Sequence, residues 1–209
     1  MHKLFPELKY SLYLTVHPFK GFWDIKHEKR GSAKTAVFIL AFFVLTSVLG
    51  GFYNGFLFNA DGGINYNIYQ NIAAILLVYL LWCIANWCLT SLFDGEGNFK
   101  DICKYTAYSL VPLSVVQLLL IPLSHLFSLQ EASFYTMILN VGILWTGMLL
   151  FIGTVITHQY TVLKSIFIII LILFGMCIIS YIMLLFFNLI QQVLGFAVTF
   201  WREASLRFA

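Results

Sequence analysis

Five long stretches of the chain contain no charged side chain and are rich in aliphatic and aromatic residues. Each is longer than the ~20 apolar residues with which a helix crosses a ~30 Å hydrocarbon layer. Runs such as residues 166–174 lack the alternating polarity that is typical of membrane-spanning strands. The pattern therefore predicts an all-α integral membrane protein, built as a bundle of five transmembrane helices. The predicted spans are residues 35–58, 68–93, 105–127, 134–157 and 165–194.

The connections between these stretches are short. Asp61, Gly62 and Gly63 predict a turn between the first two spans. The last stretch has about 30 residues and would be ~45 Å long as a helix, so it must tilt or protrude. We treat it as one span because neither half would be long enough to cross the bilayer.

Composition supports the membrane assignment. The 209 residues are 61% hydrophobic and 10% charged, and the mean hydropathy is +0.89. A soluble domain carries about 25% charged residues. The composition therefore excludes a soluble enzyme, a disordered region and a nucleic-acid-binding protein.

The few charges are distributed unevenly, and their positions predict the orientation. If the N-terminus is cytoplasmic, ten Lys and Arg residues flank the spans on the cytoplasmic side and two lie on the other side. Because basic residues favour the cytoplasmic side, we expect a cytoplasmic N-terminus and an external C-terminus, in a multi-pass protein of the cell membrane. The expected domains are a basic amphipathic segment (1–34), the transmembrane domain (35–194) and an extracytoplasmic amphipathic tail (195–209).

The first 34 residues predict two short interfacial helices. Apolar residues recur at helical spacing from Phe5 to Val16, and Pro18 ends that helix. Basic amphipathic helices with aromatic residues lie in the interface and favour anionic lipid of the inner leaflet. The segment is either a simple topology anchor or a docking site for a partner protein. Its candidate docking residues are His17, Pro18, Phe22 and Trp23.

The polar segment 94–104 is the second candidate docking site. Its two nearby carboxylates do not form a calcium-binding EF-hand loop, because Phe99 stands at the sixth position, where glycine is required. One interpretation is a turn, in which the glycines allow a sharp reversal and Asn98 caps the next helix. The other is a site that a soluble partner contacts. The candidate docking residues here are Asp94, Gly95, Glu96, Gly97 and Lys100.

Other positions are expected to pack helices together. Ser47, Gly51 and Gly55 form a stripe of small residues on the first span, which indicates close helix approach within the bundle or between protomers. A proline near the start of the third span predicts a kink. The remaining candidate packing residues are Asn86, Trp87, Tyr108 and Pro112.

No catalytic or cofactor-binding motif is visible. The spans contain no Asp, Glu, Lys or Arg, and the four cysteines form no C-x-x-C pair. We therefore expect no catalytic residue, metal or cofactor. An alternative function is a transporter or channel for a small solute or lipid, which would use Pro112, Gln117, Asn140 and Asn188.

Three segments together resemble a known family. Residues 17–22, 86–97 with Lys100, and 107–112 are similar to the Yip (Ypt-interacting protein) domain family, most closely its bacterial branch. The resemblance covers about residues 16–195 and implies a five-helix membrane domain without known catalytic activity.

The same resemblance implies a partner. Eukaryotic relatives bind small GTPases through a long N-terminal region, whereas this chain has 34 residues there, so a small GTPase is not expected. Bacterial members resemble accessory proteins of ABC transporters. The expected function is a non-catalytic accessory or scaffold protein that binds and regulates or stabilises a membrane transport complex.

Overall fold

A computed structural model describes residues 4–28, 30–58 and 66–208, and the predicted turn at residues 61–63 lies outside these ranges. The described residues form helices, two short 3-10 turns and connecting loops, with no strand among them. The helices are α1 (Leu4–Val16), α2 (Pro18–His27), α3 (Ala33–Tyr53), α4 (Ile68–Leu92), α5 (Phe99–Ser109), α6 (Val111–Leu126), α7 (Ala132–His158) and α8 (Val162–Phe208).

The prediction of five membrane-spanning helices is confirmed. α3, α4, α7 and α8 are each long and apolar enough to cross a bilayer, and α5 with α6 forms the remaining span. The two predicted N-terminal helices are present as α1 and α2. Both contribute to the same core as the spans, since Leu14, Phe22 and Ile25 are buried in one cluster with Tyr105 and Leu149.

The first span ends earlier than the sequence pattern predicts. α3 stops at Tyr53, and the backbone N–H of Gly55 donates to Ser124 Oγ of α6 at 2.7 Å. A Cβ atom on Gly55 would overlap the carbonyl oxygen of Ser124. Gly55 therefore lies beyond the helix and not on its small-residue stripe, and its role is to let this turn contact α6.

The third span begins six residues earlier than predicted and is broken near its middle. α5 starts at Phe99, and its charged residues remain at least partly exposed, whereas Ile102 and Tyr105 of the same helix are buried. The break falls at Leu110, and Pro112 stands in the first turn of α6. Proline has no backbone N–H and is tolerated only at the start of a helix without loss of a hydrogen bond.

The last helix is longer than its predicted span. α8 continues without interruption through residue 194 to Phe208 and has 47 residues. At 1.5 Å per residue it is about 70 Å long, more than twice the hydrocarbon thickness. Ile168 and Ile172 pack against α4, whereas the side chains from Tyr181 to Trp201 are exposed with the exception of Ile190.

A polar network joins three spans in the protein interior. Asn86 Nδ2 of α4 donates to Tyr105 Oη of α5 at 2.7 Å, and Tyr105 Oη lies 3.1 Å from Thr154 Oγ1 of α7. All three residues are at most 1% exposed. Since the hydrocarbon layer offers no water, such groups must find partners within the protein.

Gly153 permits the Tyr105 ring to lie against α7, and this contact generates a stability prediction. A Cβ atom at Gly153 would stand 2.6 Å from Tyr105 Cδ2, whereas one at Gly147 of the same helix would meet nothing within 4 Å. We expect Gly153→Ala to lower the free energy of unfolding by about 1–3 kcal/mol through overpacking. Gly147→Ala should leave it unchanged or raise it by up to ~1 kcal/mol. Unfolding of purified protein in mixed detergent micelles measures both, and equal effects of the two variants would contradict the packing account.

Candidate docking face around residues 94–98

Three segments meet at one end of the bundle. They are α2, the loop of residues 93–98 between α4 and α5, and the turn of residues 159–161 between α7 and α8. We call the surface that they form the loop face. It brings the two docking segments predicted from the sequence together at one end of the molecule.

Two helices end on this face in the same way. Asp94 after α4 and Gln159 after α7 adopt left-handed backbone conformations, with φ of 56° and 55°. In each case the next residue returns a hydrogen bond, Gly95 N–H to Thr90 O at 2.8 Å and Tyr160 N–H to Val155 O at 3.1 Å. The sharp reversal that the sequence assigned to glycine is therefore made by Asp94.

The two glycines serve a different purpose, which is close approach. A Cβ atom on Gly95 would lie 2.5 Å from Tyr160 Oη and 2.7 Å from His158 Nδ1. A Cβ atom on Gly97 would lie 2.6 Å from His158 Cε1. All three distances are shorter than van der Waals contact, so any larger residue would push the loop away from the turn.

Tyr160 and Lys164 hold the carboxyl end of α4. The Tyr160 hydroxyl lies 3.2 Å from Thr90 O and 3.1 Å from Phe93 O, and Lys164 Nζ donates to Phe93 O at 2.8 Å. Burial, with a smaller contribution from the negative charge of Asp94, raises the pKa of the Tyr160 phenol, which favours its role as a donor. Lys164 Nζ also lies 4.3 Å from the centre of the Tyr160 ring, within cation–π range.

Lys26 of α2 binds both the loop and α7. Its Nζ atom donates to Thr157 O at 2.7 Å and to Glu96 Oε2 at 3.1 Å. The Lys26 side chain is 14% exposed and that of Glu96 is 58% exposed. The bond to the backbone is thus the more protected of the two and contributes more to stability than the exposed ion pair.

His158 fills the space under the loop. It is 1% exposed, its ring stacks on Tyr160 with centroids 5.5 Å apart, and neither ring nitrogen has a hydrogen-bond partner among the described residues. The part of the chain that the structure describes contains no group of three His, Cys, Asp or Glu residues able to hold a metal. His158 therefore packs between the loop of residues 93–98 and the turn of residues 159–161.

The charged side chains of the loop segment point outward. Asp94, Glu96 and Lys100 are exposed, and Gly95 and Gly97 are partly buried beneath them. Lys100 lies in the first turn of α5 and not in a loop, because the helix begins at Phe99. Asn98 occupies the cap position of α5, although its side chain makes no capping hydrogen bond.

The α2 candidates divide into buried and exposed residues. Phe22 is 1% exposed and meets the Tyr105 ring edge-on at 6.4 Å, so its assignment as a docking residue is corrected to a core residue. Trp23 is 53% exposed and stacks on His27 at 3.9 Å. His17 is exposed and stacks on Tyr13, and Pro18 opens α2.

The candidate packing residues occupy several separate contacts. Ser47 Oγ donates to Asn71 Oδ1 of α4 at 3.3 Å, and a Cβ atom on Gly51 would overlap the Tyr66 ring. Tyr108 and Pro112 are both buried. Trp87 is 46% exposed and packs edge-on against Phe99 at 6.0 Å.

The polar residues of the alternative transport function lie at different places. Gln117 Oε1 accepts a hydrogen bond from Thr46 Oγ1 at 3.1 Å, which joins α6 to α3. Asn140 lines a shallow surface depression on α7, and Asn188 is exposed on α8. Across the described ranges, no hydrogen bond connects any two of the three amides.

Sequence reasoning missed the anchoring residues Lys26, His158, Tyr160 and Lys164. No local sequence motif surrounds His158. A lysine near a span, such as Lys26 or Lys164, indicates the orientation of the protein in the membrane, but its sequence position does not reveal which residues it contacts. Only the fold shows that these side chains meet the loop.

A comparison with protein families gives a match to the Yip1 domain over residues 12–185. No curated protein and no solved structure matches the chain. The matched region includes α2, the whole loop face and the first half of α8.

The Lys26 contacts generate a prediction about the order of the loop. We expect Lys26→Met to lower the free energy of unfolding by about 1.5–3 kcal/mol, since a charged hydrogen bond to a protected carbonyl is lost. Amide hydrogen exchange in residues 95–98 and 159–161 should become faster. Lys20→Met, an exposed position on the same helix, and Glu96→Gln should each change stability by less than about 1 kcal/mol. Unaltered exchange in Lys26→Met would show that Lys26 does not hold the loop.

Proposed function

Because the chain belongs to the Yip1 domain family, we propose that it is a non-catalytic accessory protein of a membrane transport complex. It binds the complex, such as an ABC transporter, and regulates or stabilises it. The resemblance of bacterial members to ABC-transporter accessory proteins supports the choice of partner, and the loop face supports the mode of contact.

The observation that carries the proposal is a fixed loop with exposed charges beside exposed aromatic rings. The loop of residues 93–98 is held by contacts from α2, from the end of α7, from the turn that follows α7 and from Lys164 of α8. Asp94, Glu96 and Lys100 nevertheless remain exposed, and Trp23 and Phe19 of α2 are 53% and 64% exposed. Aromatic anchors among charged groups are typical of protein–protein interfaces, and a preorganised loop lowers the entropic cost of binding.

The proposed orientation places the loop face in the cytoplasm and the C-terminus outside. It is supported by the sequence, in which ten of the twelve Lys and Arg residues lie before the first span or in the segments that follow the second and fourth spans. Lys9, Lys20 and Lys34 are exposed near the start of the first span. We propose that they contact anionic lipid of the inner leaflet of a bacterial cell membrane, while the loop contacts the partner.

A site-specific crosslinking experiment tests the partner proposal. A photoreactive amino acid replaces Glu96 or Trp23 in the native host, and an equivalent substitution at Tyr69 provides the control. Tyr69 is 84% exposed at the start of α4, the opposite end of that helix from the loop face. We expect positions 96 and 23 to trap the same subunit of a membrane transport complex and position 69 not to trap it.

Affinity measurements with that subunit complete the test. Trp23→Ala should weaken binding by about tenfold or more, as expected for an aromatic hot spot. Lys100→Glu should reduce the association rate. Crosslinks to lipid alone from positions 96 and 23, or equal trapping from position 69, would refute the proposed docking face.

A further inference from the structure

A cavity of about 510 Å³ lies where all the membrane spans meet. Its volume falls within the ~300–1,000 Å³ that is usual for small-molecule sites. α3, α4, α5, α7 and α8 each contribute to its wall. Representative lining residues, one or two from each, are Phe43, Ala74, Tyr79, Thr106, Leu150 and Leu173.

The side chains that line the cavity favour an apolar ligand. None of the described residues that line the cavity is charged, and the Tyr79 hydroxyl is already used in a 2.7 Å hydrogen bond to Cys103 O. An ion or a strongly polar solute would lose its hydration here without replacement.

Two of the lining residues carry a polar atom without a hydrogen-bond partner within the described ranges, Thr106 Oγ1 and Trp82 Nε1. Thr106 is 4% exposed, and its Oγ1 atom has no hydrogen-bond partner within the described ranges. Buried hydroxyls are nearly always paired, so an unpaired one calls for an explanation. An ester carbonyl is an acceptor that a membrane lipid could bring to this position.

The cavity lies along the apolar part of the spans and begins near their charged ends. Thr106 follows Lys104, the last charged residue of α5, by two positions, and Leu173 lies eleven residues into α8, about 16 Å from its start. Val78 and Leu173 on the rim are 56% and 53% exposed, so the cavity opens sideways toward the bilayer. An acyl chain can therefore enter from the membrane without passing through the loop face.

We propose that this cavity binds one acyl chain of a membrane phospholipid. A lipid chain bound in this cavity would differ from annular lipid in two ways. Side chains from every span would surround it, and it would lie beside the Thr106 hydroxyl. Binding a chain would restore the dispersion contacts that the wall lacks when empty. The proposal is independent of the docking function, since the lining residues do not belong to the loop face.

Trp82 lines the cavity and provides a built-in reporter. Substituting the other four tryptophans, at positions 23, 87, 145 and 201, with Phe leaves Trp82 as the single emitter. Bromine atoms on an acyl chain quench tryptophan fluorescence only at close contact. The variant is reconstituted into vesicles of phosphatidylcholine with brominated chains and into matched vesicles without bromine, and the quenched fraction is compared.

We expect brominated chains to quench Trp82, and Ala74→Phe, which fills the cavity, to reduce the quenched fraction at least twofold. Ala73→Phe is the matched control, because Ala73 is the adjacent exposed residue and does not line the cavity. Leu173→Phe fills the cavity from α8 and replaces the first variant if Ala74→Phe fails to elute as a single folded species. No quenching of Trp82 would overturn the proposal. Equal quenching in the cavity-filling and control variants would also overturn it, since annular lipid alone would then account for the contact.

Discussion

The loop face depends on one steric constraint, the contact of Gly95 and Gly97 with the side chains of His158 and Tyr160. The missing side chains let the loop backbone lie directly on the imidazole and phenol rings. This contact sets the position of Asp94 and Glu96, which would otherwise be charged residues on a mobile connection. It also places Glu96 within reach of Lys26, so that α2 joins the same unit.

The membrane-spanning part of the bundle also depends on contacts between helices. The hydrocarbon layer penalises unpaired hydrogen-bond donors and acceptors. The Tyr105 hydroxyl is paired with Asn86 of α4 and Thr154 of α7, and so links these two helices. Gly153 gives this ring the room that Gly95 and Gly97 give to His158 and Tyr160. Charged groups are thereby left to the ends of the bundle, and for that reason we propose the loop face, not the interior, as the surface that contacts a partner.

Much of the fold could be predicted from the sequence, because uncharged apolar stretches have few alternatives in a bilayer. The start of α5 could not be predicted from the sequence. Lys100, Asp101 and Lys104 lower the mean hydropathy of this helix, although its other face is buried at Ile102 and Tyr105. The docking segments were recognisable as polar or aromatic clusters. The detailed roles of their residues could not be predicted, because these follow from contacts between segments that are distant in the chain. Examples are the burial of Phe22, the left-handed backbone of Asp94 and the position of His158.

The most direct test of this account is a double-mutant cycle between Gly97→Ala and His158→Ala, with the free energy of unfolding as the readout. If the loop is placed by contact with the imidazole, Gly97→Ala costs about 1–3 kcal/mol in the wild-type background. The same substitution should cost little once His158 is shortened, which gives a coupling energy of at least ~1 kcal/mol. Additive effects of the two substitutions would contradict the central role of this contact.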